Sequence, residues 1–364
     1  MRKLIVALGL LLGVLFILTR FAELNAVLAA FQRGKLIYLA LAFLVQCAWI
    51  YNLSAFYQSV YQVLGMVEKR AYLIKLVTAA NFMTVVAPSG GLSAMAVYIA
   101  DAQRRGRSTA KVTVAAVLYV WFEYIGTLII TLLGLAELAR RNTLHWTEIT
   151  ASLILLAGAL IVGLLLYLGM ESTAALSRTL AWMARAVNAV LRPFIHHDYL
   201  QVTRAYSFSA EVSEGIAALR NNPRWAYRPL LYTLLNKGLL LIVLFLSFQA
   251  FAVAFDAGTL VAGLGIAHLF LIVSPTPAGI GIVEGILAVA LKSLGVPLGD
   301  ATVVTFVYRG YSFWLPFLAG LVTIRLLNQA PQPSLPVTAS QPAASQAEGI
   351  ERAGIVPVSL GPKK

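Results

Sequence analysis

Residues 259–296 read TLVAGLGIAHLFLIVSPTPAGIGIVEGILAVALKSLGV, an apolar run too long for one membrane crossing and interrupted in its middle. A spanning helix takes about 20 apolar residues. The interruption, Ser274-Pro275-Thr276-Pro277-Ala278-Gly279-Ile280-Gly281, mixes prolines, which remove backbone donors, with glycines, which admit non-helical geometry. Each half is short for a full crossing. Irregular backbone at membrane depth persists only where protein or a wet cavity surrounds it. The run therefore reads as two short helices meeting at a break, the form of a re-entrant hairpin. A second run, 71–100, breaks in the same way at Ala87-Pro88-Ser89-Gly90-Gly91.

The rest of the chain fits a membrane. Of 364 residues, 60% are hydrophobic and 12% charged, where a soluble domain is nearer half apolar and a quarter charged. This excludes a water-soluble enzyme and a mainly disordered chain. Further apolar stretches lie at about 4–19, 36–65, 112–138, 149–170, 229–255 and 301–327. The predicted fold is an all-α polytopic membrane protein with about six full transmembrane helices plus two broken, re-entrant helical hairpins. The N-terminal stretch lacks a small-x-small cleavage site before Arg20 and reads as an uncleaved first helix. From Asn328 the composition turns to Pro, Ser, Gln and Ala. The expected division is a transmembrane domain over 1–327 and a disordered tail over 328–364. Cys47, the single cysteine, reads as inert packing.

Net charge is +13. In a membrane protein this reads as basic residues flanking helices on the cytoplasmic side, not as nucleic-acid binding. With the N-terminus inside and both broken runs returning to their own side, Lys69, Arg70, Arg104, Arg105, Arg107 and Lys111 are cytoplasmic, as are seven arginines of 171–228. Arg20, Arg33, Lys35, Arg140 and Arg141 remain outside. The 171–228 segment is a cytoplasmic amphipathic helical loop. Arg178, Arg185 and Arg192 share one face, with Leu176, Leu180, Trp182 and Met183 in the apolar remainder. A second helical pattern runs through Val212, Ile216 and Leu219. His196-His197-Asp198 reads as a solvated turn, because tight zinc sites need three or four converging ligands. The same parity relates helix 36–65, hairpin 71–100 and helix 112–138 to helix 229–255, hairpin 259–296 and helix 301–327 as an inverted repeat. Asn52 to Pro88 spans 36 residues and Asn236 to Pro275 spans 39.

Charges within a bilayer cost several kcal/mol and need a partner or cavity. Lys75 and Lys292 can snorkel to an interface. Glu123, Lys237 and Arg309 sit well inside their segments, His268 lies near the second break, and Glu284 opens the helix after it, where the helix dipole favours a carboxylate; Glu123 with Lys237, or Glu284 with Arg309, would form ion pairs. The breaks offer free backbone N–H groups beside helix N-termini, suited to phosphate or carboxylate. Candidate substrate-binding residues there are Pro88, Ser89, Gly90 and Gly91, and Pro277, Gly279 and Gly281.

SPTPAGIGIVEGILAVALKSLGV (274–296), followed by TFVYRGYSFWLPFLAGL, resembles the signature of the flippase-like integral membrane family that includes the transmembrane region of lysylphosphatidylglycerol synthases. The matching positions are Pro277, Gly279, Gly281, Glu284, Gly285, Gly295, Tyr308, Arg309, Trp314 and Pro316. The likeness covers about residues 4–327 and adds Tyr308 to the candidate binding residues. It implies a region that moves or accommodates lipids such as aminoacylated phosphatidylglycerol. The synthases' C-terminal aminoacyltransferase domain has no counterpart before Lys364, so lysyl transfer is not expected of a stand-alone member. Leu92 to Ala100 lack the charge that many relatives place after the first break.

The expected function is a lipid flippase or transporter that binds an amphiphilic lipid between the breaks and moves it across the inner (plasma) membrane, both termini cytoplasmic. Two alternatives stand beside it. One is a membrane-embedded transferase or hydrolase acting on a lipid-linked substrate, with Ser89 and His268 as nucleophile and base. The other is a non-transporting scaffold for lipid-modifying enzymes. Since the chain lacks a Gly-x-Ser-x-Gly elbow, an HExxH motif and any Asp-x-Asp pair, catalysis, a cofactor or a metal is not expected. Expected partners are membrane lipids (an anionic or aminoacylated phospholipid, or a polyprenyl-linked lipid), with a homodimer left open.

Overall fold

A computed structural model describes residues 27–86, 92–191, 225–274 and 276–329, with 209, 212, 213, 215, 216 and 219 between them. All of these fall in one compact unit. The expected first helix at 4–19, the first break with Pro88, Ser89, Gly90 and Gly91, the His196–Asp198 cluster and most of the expected tail lie outside the described residues.

Every regular element among the described residues is helical. In chain order they are α1 (Leu36–Val63), α2 (Arg70–Val86), α3 (Leu92–Arg104), α4 (Thr109–Arg140), α5 (Trp146–Glu171) and α6 (Thr173–Leu191). Then follow α7 (Tyr227–Ala250), α8 (Ala257–Val273), α9 (Ile282–Ser293), α10 (Leu298–Arg309) and α11 (Leu315–Gln329). Helices α1, α4, α5 and α7 are long and apolar enough to cross a bilayer. The stretch 301–327, expected as one full helix, is instead interrupted by a π turn over Gly310–Trp314. Pro316 offers no N–H to the carbonyl four residues earlier, and widening the helix just before it absorbs that defect. Gly310 and Leu315 keep helical dihedrals, so the rod continues through the turn.

The second broken run folds back on itself. Helices α8 and α9 have 17 and 12 residues. At 1.5 Å per residue these reach about 26 and 18 Å, short of the roughly 30 Å hydrocarbon layer. Arg141 clasps the mouth of this hairpin. It donates to the Asp256 carboxylate at 2.6 Å before α8, and to the Leu294 carbonyl at 3.2 Å after α9. Asp256 also caps α8 by accepting from the Thr259 amide at 2.7 Å. That amide, and then Arg141, hold the Asp256 carboxyl down to about 2.

The first run has the same form. Glu68, ahead of α2, pairs with Arg105 at 3.0 Å and Arg107 at 3.1 Å, both beyond α3, and the Tyr72 hydroxyl donates to Asp101. Arg105 and Arg107 precede α4 while Arg141 follows it. The two mouths therefore lie at opposite ends of α4, whose 32 residues run about 48 Å.

Between the hairpins, helices pack through small residues. Helices α1 and α7 run antiparallel, tied by the Lys35 amide to the Ala250 carbonyl and the Asn52 side-chain amide to the Tyr232 carbonyl, each at 2.8 Å. Helix α4 packs on α8, and α2 on α11. At the first contact a Cβ on Gly265 would stand 2.8 Å from the Ile130 carbonyl oxygen. At the second, a Cβ on Gly320 would stand 2.6 Å from the Thr78 carbonyl oxygen and collide with Phe82. Such glycines let backbones approach where lipid provides no hydrophobic drive.

Apolar side chains of α5, such as Leu153, Leu160 and Leu164, remain exposed, as a lipid-facing helix requires. Helix α6 buries Leu176, Ala181 and Ala184 and exposes Arg178 and Arg185, and Val212, Ile216 and Leu219 are buried. One expectation fails: Cys47 is exposed on α1 rather than packed. Trp182, in the apolar remainder of α6, is 65% exposed, as a helix lying on a membrane surface allows.

Substitution separates the two kinds of glycine. Gly320→Ala should destabilise the protein by about 1–3 kcal/mol through overpacking. Gly238→Ala, where a Cβ would meet nothing within 4 Å, should be neutral or stabilising by up to about 1 kcal/mol. Thermal unfolding in detergent reads both, and equal shifts would contradict the packing described.

Candidate functional site

One cavity lies between the end of α2 and the second break. The last turns of α2 contribute Asn81, Thr84 and Val85, and the second break contributes Ala278. The remaining wall comes from α1, α4, α7, α8, α9 and the α10–α11 rod.

The buried charges converge here. Glu123 lies on α4, one turn before Gly126, and a Cβ at Gly126 would press on Thr233 and on the Lys237 side chain at 3.3 Å. That glycine lets α7 come close enough for the Lys237 ammonium to donate to the Glu123 carboxylate. Lys237 Nζ also stands 3.3 Å from His268 Nδ1, and the Tyr308 hydroxyl stands 3.3 Å from His268 Nε2. Since the ammonium can only donate, Nδ1 accepts, and the ring proton sits on Nε2 facing Tyr308. Lys237 and His268 are each 5% exposed and Tyr308 3%. The Glu123 side chain, at 21%, is the more open end of the chain.

Arg309 organises the second break. Its Nε donates to Glu284, its Nη2 donates to the Ala278 carbonyl at 3.1 Å, and its guanidinium lies 4.7 Å from the centre of the Phe313 ring. Glu284 stands in the first turn of α9, where the helix dipole favours a carboxylate. The turn itself is Pro277–Gly279, with Ala278 at φ 50°, Gly279 at φ 69° and Gly281 at φ 76°. For alanine that conformation costs about 1–3 kcal/mol, and the bond from Arg309 to its carbonyl helps to hold it.

Both ion pairs expected from the sequence are thus present. Glu123, His268, Tyr308 and Arg309 line the cavity, and Lys237 and Glu284 stand directly behind them. Gly279 is buried and shapes the turn, and Gly281 is exposed and caps α9. The sequence reading did not include Asn81, Thr84, Tyr119 or Asn236, nor the aromatic wall of Trp49, Phe313 and Phe317. Asn81 and Asn236 carried a usable signal, because an amide within an apolar helix incurs the same kind of desolvation cost as a charge. Asn236 is 5% exposed, and its side-chain oxygen has no protein donor.

A second cavity shares Asn81, Thr84 and Tyr119 with the first and runs between α1, α2, α3 and α4. It is lined by Tyr57 and Tyr98 and carries no charge. Tyr57 stacks on Tyr119 at 5.4 Å between ring centres.

The Glu284–Arg309 pair can be tested by unequal removal. Arg309→Met should cost about 3–5 kcal/mol by stranding a buried carboxylate, whereas Arg309→Met with Glu284→Leu should recover most of that loss. Denaturant unfolding in detergent would show it, and additive losses would refute the pairing.

The sequence profile described as lysylphosphatidylglycerol synthase TM region matches residues 4–320. No curated protein and no solved structure matches the chain.

Proposed function

Because this chain belongs to the lysylphosphatidylglycerol synthase TM region family, we propose that it binds an amphiphilic lipid in the cavity between the hairpin tips and carries it across the inner membrane. The observation that carries this reading is the meeting of two hairpins with opposite mouths at one charged cavity. Irregular backbone of this kind is tolerated in a bilayer only around such a site, and transporters place their sites at paired breaks.

The packing supports an inverted repeat of α1–α4 and α7–α11. Exchanging the two units turns the α2·α11 contact into α8·α4, and α2·α3 into α8·α9. It likewise turns α1·α2 into α7·α8, and leaves α1·α7 paired with itself. Such a pair of units can rock about a fixed site, which gives alternating access. The cavity divides the work. Arg309 and Lys237 suit the phosphate of an anionic, aminoacylated or polyprenyl-linked lipid, and Phe313, Phe317 and Trp49 suit its apolar part. Both His268 ring nitrogens already face partners, which favours a binding role over a serine–histidine hydrolase.

The orientation follows the charges. At the Glu68 end, Lys69, Arg70, Arg104, Arg105, Arg107 and Lys111 outnumber the acids Glu68 and Asp101, whereas Arg140 and Arg141 at the other end are balanced by Glu137 and Asp256. The Glu68 end is the cytoplasmic one. In a Cys47→Ala background, a cysteine at Asn142 should react with an impermeant thiol reagent on intact spheroplasts and one at Arg107 should not. The reverse pattern would invert the assignment.

The function itself is tested in proteoliposomes. The protein should accelerate flipping of labelled phosphatidylglycerol, its aminoacylated form or a polyprenyl phosphate. The charge-neutral double variant Glu123→Ala, Lys237→Ala should lose at least about tenfold of that rate, the scale of one to two lost charge-assisted bonds. Vesicles that flip none of the three faster than protein-free controls would overturn transport.

A further inference from the structure

The cavity's charges balance with no ligand counted. Lys237 and Arg309 supply two positive charges, and Glu123 and Glu284 supply two negative ones. His268 is neutral in this arrangement, because its Nδ1 accepts from an ammonium 3.3 Å away and its Nε2 proton faces the Tyr308 hydroxyl. Of the ionisable groups around it, Lys237 from α7 and Tyr308 from α10 are in contact, Glu123 and Tyr119 from α4 and Arg309 from α10 share the cavity wall, and Glu284 from α9 stands behind Arg309. On its α5 side, Ala151 and Leu155 pack with the neighbouring Leu269 and bring no charge.

A monoanionic phosphodiester entering this site would leave one negative charge without a counterpart. At low dielectric that is expensive, and the site answers it most cheaply by gaining a proton. Glu123 is paired with Lys237, and Glu284 with Arg309. His268 carries a basic lone pair on Nδ1, which accepts from Lys237. Protonating it would set two donors face to face at 3.3 Å, so the ammonium must turn away, toward Glu123 or toward the incoming phosphate. We propose that His268 takes up one proton when a monoanionic phosphodiester head group enters the cavity, so that lipid and proton bind together. The proton comes from water and returns to water when the lipid leaves. This rests on the lipid-binding reading above, and it makes a proton gradient a means of driving lipid across.

The test uses the full chain in detergent with dihexanoyl phosphatidylglycerol as the monoanionic probe and dihexanoyl phosphatidylcholine as the net-neutral control. Binding is read from the fluorescence of Trp49, which lines the cavity, as the signal lost in Trp49→Phe. Proton uptake is read with a pH indicator in weakly buffered solution. The wild type should take up close to one proton per phosphatidylglycerol bound, and affinity should rise by up to about tenfold for each unit fall in pH over the range of uptake. Phosphatidylcholine should give no uptake. His268→Gln, which keeps hydrogen-bonding capacity without a basic nitrogen, should bind with neither uptake nor pH dependence. Wild-type binding without uptake, equal uptake with both lipids, undiminished uptake in His268→Gln, or no phosphatidylglycerol binding at any pH would each overturn the proposal. The wild-type proton count stands alone if the variant does not fold. Proton-linked binding without flipping in vesicles would refute transport and leave this inference intact.

Discussion

At membrane depth an unwound segment leaves carbonyls with no water to bind, and Arg309 meets that need at the second hairpin. One guanidinium fixes the Ala278 carbonyl, the Glu284 carboxylate and the face of Phe313. Without it, a positive-φ alanine, a buried acid and the start of α9 would each lack a partner. The break, the helix that follows it and the cavity wall are therefore a single electrostatic arrangement. Its cost of burial is tolerable because each charge has a counterpart. The guanidinium is held at the end of α10, where the π turn begins, so the irregularity forced by Pro316 falls beside the irregularity it serves.

The two hairpins share a shape and differ in chemistry. Where the second unit places His268, Glu284 and Arg309, the first encloses its cavity with Tyr57, Tyr98 and Tyr119. Only Asn81, Thr84 and Tyr119 belong to both spaces. On the function proposed above, a charged chamber beside an uncharged aromatic one would give a head group a strong site and a weak continuation, and weak, multiple sites favour passage over retention.

Most of the architecture was legible because the physical costs are severe. Proline and glycine within an apolar run, charges within apolar helices and basic loops on one side each admit few explanations in a bilayer. That is why Glu123 with Lys237 and Glu284 with Arg309 could be paired before any coordinates. What stayed hidden depends on facing, which hydropathy does not report. Cys47 reads as packing because it is apolar, yet lipid accepts it as readily as protein does. The tyrosine cavity gave no signal at all, since buried tyrosines look like ordinary core. Asn81 and Asn236 were within reach of the argument applied to charges and went unused. The π turn arises from a single missing donor and is too local for periodicity to reveal.

The clasp made by Arg141 also bears on how the protein is assembled in the cell. Asp256 follows Arg141 by 115 residues, so the receptor for the second hairpin is made and placed well before the hairpin leaves the ribosome. Helices α8 and α9 are each too short to be threaded as ordinary spans, and the loops at their mouth remain on one side of the membrane. The surface that receives them belongs to the earlier half of the chain, where α4 presents a guanidinium at its rim and Gly134 along its flank. The half of the molecule made first therefore carries the seat of the second hairpin.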